Sequence, residues 1–259
     1  IYLRPDTFLV IDDLKRSGGQ ASSFEWWLNA LSIASYTNQS ASIQQGKAAL
    51  DAVIQYPAGM TAQYSDQFAG PDGTVYTPSG EYATQPIHQR VWFSTPQTNS
   101  TKIIATMSVH PAETAAVLPS AVLIDNVQKL TFADGTIAYI KTDDAQNISA
   151  EEIETDAAAI LVKEGNYLMA DGTFLTVNGT EIFAADKRIS AAYGEGELSI
   201  SCEEDVSVTL GATGDIATVT TQEGKEIPAM DNRSGFGWTA GTGSLLLYLS
   251  KGFYTVHIQ

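Results

Sequence analysis

Beyond residue 120 the chain repeats one pattern: a few residues in which apolar and polar side chains alternate, then a pair that supplies positive φ. Phe132-Ala133-Asp134-Gly135-Thr136-Ile137 and Met169-Ala170-Asp171-Gly172-Thr173-Phe174 carry Asp-Gly, and Val177-Asn178-Gly179-Thr180-Glu181 carries Asn-Gly. Period-two alternation belongs to a half-buried strand. Asp-Gly and Asn-Gly are the pairs that a tight primed hairpin turn needs. Together they dictate antiparallel strands joined by hairpins and leave room only for short helices. Ser149-Ala150-Glu151-Glu152-Ile153-Glu154 has the spacing of a capping box and predicts one such helix with a solvated acidic face. Further strands are expected at Glu197–Cys202, Val206–Leu210, Ala217–Thr221, Ser244–Leu249 and Gly252–Ile258.

The first half reads as strands too, in a different style. Thr7–Ile11 is a continuous apolar run, as in a strand covered on both faces, and Asp12-Asp13 ends it. Phe24–Leu31 is long and aromatic, and Gln44–Gln55 reads as two strands around Gly46-Lys47. Val53–Tyr56 stops at Pro57. Residues 57–86 are rich in Gly, Pro, Ser, Thr and Tyr without a clear period, and read as a long functional loop. His88–Ser94 and Lys102–Val109 read as a hairpin around 96–100. The style changes between 112 and 120. We therefore expect an all-β fold, a large antiparallel sandwich over 1–115 with a smaller C-terminal β lobe over 116–259 packed on it.

Charge and chemistry narrow the function. The formal net charge is −16, a surface that repels nucleic acid and anionic membranes. No apolar run is long enough to span a bilayer. The chain opens without Met on the strand-like Ile1-Tyr2-Leu3-Arg4-Pro5, which reads as a mature or excised piece of something longer. Sequons stand at Asn38, Asn99, Asn147, Asn178 and Asn232, which points to a secreted, extracellular glycoprotein. Cys202 is the only cysteine, so no internal disulfide forms, and its alternation with polar neighbours gives it a packing role. Phosphate loops, nucleophile elbows and zinc motifs are absent from the sequence.

The candidate binding residues cluster around the long loop. Tyr64, Tyr76 and Tyr82 lie in it, beside Tyr56, and His88 and Arg90 follow on one face of a strand. Tyrosines give stacking surfaces with hydroxyl tips, and Arg90 can grip a carboxylate at two points. Trp26 and Trp27 must point to opposite faces, one into the core and the other, Trp27, free to stack on a sugar ring. Of the other two histidines, His110 closes a strand before Pro111 and His257 faces outward on the last strand.

Three stretches resemble the β-sandwich half of heparinase II/III-type polysaccharide lyases: Tyr2–Asp13, Phe24-Glu25-Trp26-Trp27-Leu28-Asn29, and His88–Phe93 leading to Ile103–Pro111. Gly172–Phe183 looks like the family's C-terminal lobe. The resemblance implies β-elimination beside a uronate, with an N-terminal α/α toroid as partner carrying the catalytic tyrosine. The family's catalytic histidine segment would precede Ile1. Some relatives hold a divalent cation through that histidine, an aspartate matched by Asp12, and a histidine where this chain has Asn29. The resemblance thus implies a glycan-contacting sandwich that does not carry the complete catalytic set. A free-standing carbohydrate-binding or lectin-like sandwich, with 57–86 and exposed aromatics as its site, is the alternative.

Overall fold

The computed structural model describes residues 1–259 except 4, 68–73, 78, 85, 145, 212–215, 228–236, 241–244 and 259. Arg4 of the first motif and the sequon at Asn232 thus lie outside the described residues. The fold is all-β and antiparallel, and the one helical element among the described residues is a 3-10 turn at Gly80–Tyr82. The chain divides into two compact units, Ile1–Pro119 and Ser120–Gln259.

The N-terminal unit contains β1 (Tyr2–Leu3), β2 (Thr7–Lys15), β3 (Glu25–Ala30), β4 (Ile33–Tyr36), β5 (Ser40–Gln45), β6 (Ala48–Tyr56), β7 (Thr61–Ser65), β8 (Gln89–Ser94) and β9 (Ser100–Pro111). A six-stranded sheet runs β1-β2-β9-β6-β5-β4, and a three-stranded sheet runs β3-β8-β7. Side chains from both meet in one core: Val91 and Phe93 of β8, Ile103 and Ala105 of β9, Ala41, Ile54 and Met60, with Trp26, Leu28, Val10 and Leu14 packed against them. Fully burying side chains such as Val91 and Phe93 stabilises by about 1.5–3 kcal/mol each. The unit is a two-layer sandwich.

Several expectations need correction here. The 57–86 segment is not loop throughout, because Thr61–Ser65 forms β7 and pairs with β8. Thr61-Ala62-Gln63-Tyr64-Ser65 does alternate, but its small and polar residues made the period faint. His88–Ser94 and Lys102–Val109 do not form a hairpin. β8 pairs with β3 and β7, while β9 pairs with β2 and β6, so the chain crosses from one layer to the other between them. In β2 only Leu9 is fully buried, and Asp12 and Asp13 lie within the strand, which continues to Lys15.

The C-terminal unit contains β10 (Ser120–Ile124), β11 (Val127–Thr131), β12 (Ile137–Lys141), β13 (Ile148–Ala150), β14 (Ile153–Thr155), β15 (Ala159–Lys163), β16 (Asn166–Val177), β17 (Thr180–Gly194), β18 (Glu197–Cys202), β19 (Val206–Leu210), β20 (Ile216–Thr221), β21 (Gly237–Ala240), β22 (Leu245–Leu249) and β23 (Gly252–Ile258). All belong to one 14-stranded sheet. Its spine is the β16–β17 hairpin, closed by Asn178-Gly179, both at positive φ as the sequence demands. The stem of β16 pairs with β15 and its tip with β14, while β17 passes from β19 near the hairpin tip to β18 near the stem. One core takes side chains from both ends: Leu175, Phe183, Val208 and Leu247 from the tip, Met169, Ala191, Ile200 and Val256 from the stem.

The hairpin changes course at Asp171-Gly172. This pair does not turn the chain back, as the sequence led us to expect. Asp171 takes φ 53° and the register shifts between Met169 and Gly172 and again between Gly172 and Phe174, so the pair forms a bulge inside β16. A Cβ on Gly172 would lie 2.8 Å from the Ala157 backbone, which is why glycine stands there. Arg188 braces the bulge. Its Nε donates to Asp171 Oδ1 at 2.9 Å, and Nη2 donates to the carbonyls of Asp171 and Asp156. The Asp156 carboxylate in turn accepts from Thr173 N and Oγ1. Strands after 120 therefore do not simply shorten, since β17 runs for 15 residues. The expected helix at 149–154 is instead the β13–β14 hairpin, with Glu151 at φ 53° in its two-residue turn. Ile148 and Ile153 are both buried, and alternation around them outweighs the capping pattern.

Candidate functional site

The three-stranded sheet of the N-terminal unit has one face in the core and one in solvent. Alternation decides which residues go where. Trp26, Leu28, Val91, Phe93 and Ala62 point inward. The residues between them, in the register Glu25↔Ser94, Trp27↔Trp92 and Asn29↔Arg90 on one side and Gln63↔Trp92 and Ser65↔Arg90 on the other, make the outer face.

At its centre Trp27 and Trp92 sit directly opposite and stack, with ring centroids 4.7 Å apart and planes within 9°. Trp27 remains 42% exposed, a large aromatic surface left in water. Its indole N–H donates to Glu25 Oε2 at 3.1 Å, which fixes the ring's orientation. Arg90 stands beside it, with Cζ 6.0 Å from the Trp27 ring centroid, at the outer limit of cation–π attraction. Arg90 Nη2 donates to the Gln67 carbonyl at 3.2 Å, while Nε has no hydrogen-bond partner among the described residues. The guanidinium is thus anchored at one corner without a carboxylate partner among them. An apolar pair ringed by Arg90, Asn29, Gln63 and Glu25 can take the C–H face of a sugar ring and hydrogen-bond its hydroxyls or carboxylate.

Of the residues singled out from sequence, Trp27 and Arg90 come together here. Tyr64 lies on the inward side of β7, opposite Val91, and stacks on Tyr36 at 5.6 Å, so it faces away from Arg90. Tyr76 is exposed, and His88 is exposed one residue ahead of β8. Tyr82 ends the 3-10 turn, and its side chain lies outside the described residues. Trp92 was missed by the sequence reading, although its two-residue offset from Arg90 places it on the same face.

The implied cation site does not fit. Asp12 lies on the same face of β2 as the core residues Val10 and Leu14, toward the sandwich interior, whereas Asn29 is on the outer face of the other sheet. Among the described residues no group of three or more His, Cys, Asp or Glu gathers to hold a metal ion. Three other chemically capable groups have structural partners. His110 Nε2 lies 3.0 Å from Asp51 Oδ2, His257 pairs with Glu197 at 3.4 Å, and the buried Cys202 thiol, whose pKa burial raises, donates to the Ser250 carbonyl. No protein-family model matches the chain, and a search of curated proteins found no match.

Proposed function

We propose that this chain is the β-sandwich portion of a secreted polysaccharide lyase acting on uronate-containing glycans. In this reading the Trp27–Trp92 face holds the sugar chain, and the proton-transfer groups come from a partner α/α-toroid domain. The observation that carries the reading is the exposed tryptophan stack beside an arginine that makes no ion pair among the described residues. A base, an acid and a carboxylate neutraliser must converge for β-elimination. Among the described residues of the outer face Arg90 is placed for the last of these roles, and in this reading the base and the acid come from the toroid. A free-standing carbohydrate-binding sandwich shares the binding face and differs in having no toroid to serve.

The test is a titration with uronate oligosaccharides and their carboxyl-reduced counterparts. Arg90→Ala should weaken binding of the acidic form by roughly 5-fold to 150-fold, from a lost contact of about 1–3 kcal/mol, and leave the reduced form little changed. Trp27→Ala should weaken both forms. Equal binding of both variants and parent would sink the assignment, and so would a melting temperature that falls in step with affinity. Binding without any elimination when the toroid is supplied would favour the free-standing reading.

A further inference from the structure

A second site lies within the C-terminal unit, in a cavity of about 340 Å³ between the β10–β11 turn and the β13–β14 hairpin. That volume sits near the lower end of the roughly 300–1,000 Å³ usual for small-molecule pockets. Its wall includes Lys129 and Tyr139, which face each other across β11 and β12. Lys129 Nζ lies 5.4 Å from the Tyr139 ring centroid and donates to Glu151 Oε1 at 2.5 Å. The Tyr139 ring is buried in the core, yet among the described residues its hydroxyl meets no partner in hydrogen-bond geometry. Lys129 and Glu151 are near enough to act on its acidity without meeting it in hydrogen-bond geometry, and burial leads in raising its pKa. Buried polar groups in folded proteins are almost always paired, so a hydroxyl left unpaired at a cavity wall points to a missing partner.

The geometry points to a binding site for one neutral sugar ring or a polyol of that size, with the Tyr139 hydroxyl as a direct contact. Lys129 and Glu151 cancel in charge, and Asp125 on the same wall disfavours an anion. Asn147 and Gln146 offer both donors and acceptors, which hydroxyl groups match. The ligand enters by parting the Lys129–Glu151 pair, whose Glu151 side chain is 58% exposed. The site does not depend on the Trp27–Trp92 face, so Trp27→Ala should retain it.

The experiment uses the chain produced without glycosylation, because Asn147 both lines the cavity and heads a sequon. D-Glucose, D-galactose and N-acetyl-D-glucosamine are titrated while backbone amide resonances are followed. Millimolar binding by at least one of them is expected, with shifts centred on Lys129, Ser149 and Glu151. Tyr139→Phe should bind about 5-fold to 10-fold more weakly with an unchanged or raised melting temperature, since it deletes a hydroxyl that has no partner in the free protein. Lys129→Met should weaken binding independently. The proposal is overturned if none of the three sugars binds, if the shifts map elsewhere, or if Tyr139→Phe binds like the parent. A marked drop in the Tyr139→Phe melting temperature also overturns it, because the hydroxyl would then be a structural hydrogen-bonding group.

Discussion

Each unit closes its own hydrophobic core between antiparallel strands, but the two cores are held together differently. Among the described residues of the N-terminal unit β3-β8-β7 shares no strand pairing with the six-stranded sheet, and side chains such as Phe93 and Ile103 join the two. In the C-terminal unit one hairpin, β16–β17, passes through both ends of a continuous sheet, and the Asp171-Gly172 bulge redirects it. A layer joined by side chains depends on volume and shape. A layer joined by backbone depends on whether the chain can take an unusual local path. The first arrangement leaves the outer face of the three-stranded sheet partly open, and the Trp27–Trp92 stack occupies it.

The largest expected effect tests the side-chain joint. Phe93 is fully buried between the N-terminal layers, so Phe93→Ala should cost about 3–5 kcal/mol. Three of the four tryptophans, Trp26, Trp27 and Trp92, belong to this unit, so tryptophan emission reports on it. The emission transition in urea should move further than the transition seen by far-UV circular dichroism. A coincident shift in both probes would mean that the two units unfold as one and would break the comparison.

A smaller effect tests the backbone joint. Gly172→Ala forces a methyl against the Ala157 backbone and should destabilise by about 1–3 kcal/mol, the usual cost of overpacking. Here the circular dichroism transition should move while tryptophan emission stays put. An unchanged dichroism midpoint would show that the bulge relaxes freely and that the continuous sheet is no more exacting than the packed one.

The smallest effect separates the units by sign. In the N-terminal unit the Pro111 carbonyl and then Asp51 raise the His110 pKa above 6.5, since both ring nitrogens face acceptors. That stability is complete below the ordinary histidine value and is lost as pH rises through the raised one. In the C-terminal unit Lys163, then the Thr136 amide, lower Asp134 from 3.8 to about 2. That contribution is present above the ordinary carboxylate value and is lost as pH falls toward about 2. Both side chains of the Lys163–Asp134 pair are close to half exposed, so solvent screening keeps its share small. His110→Gln should flatten the dependence of the emission midpoint on pH between about 6 and 8, and Asp134→Asn the acid limb of the dichroism midpoint. Effects on the opposite limbs would refute these assignments.

Sequence by itself determined the local matters. Period-two alternation set Trp26 and Trp27 on opposite faces, Asn178-Gly179 closed the longest hairpin, and Gly46-Lys47 separated β5 from β6. Each follows from φ, ψ and side-chain direction within a few residues. Alternation also placed Arg90 and Trp92 on one face, but the sequence could not say that Trp27 would stand opposite Trp92. That required β3 and β8, some 60 residues apart, to choose each other as neighbours. Tertiary structure likewise put β8 and β9 in different layers, turned Tyr64 toward Tyr36, and brought Lys129, Tyr139 and Glu151 around one cavity. Asp171-Gly172 shows the reason most plainly. Positive φ serves a hairpin turn or a bulge equally well, and only the partners waiting on either side, β15 and Ile189 of β17, kept the chain running on as a strand.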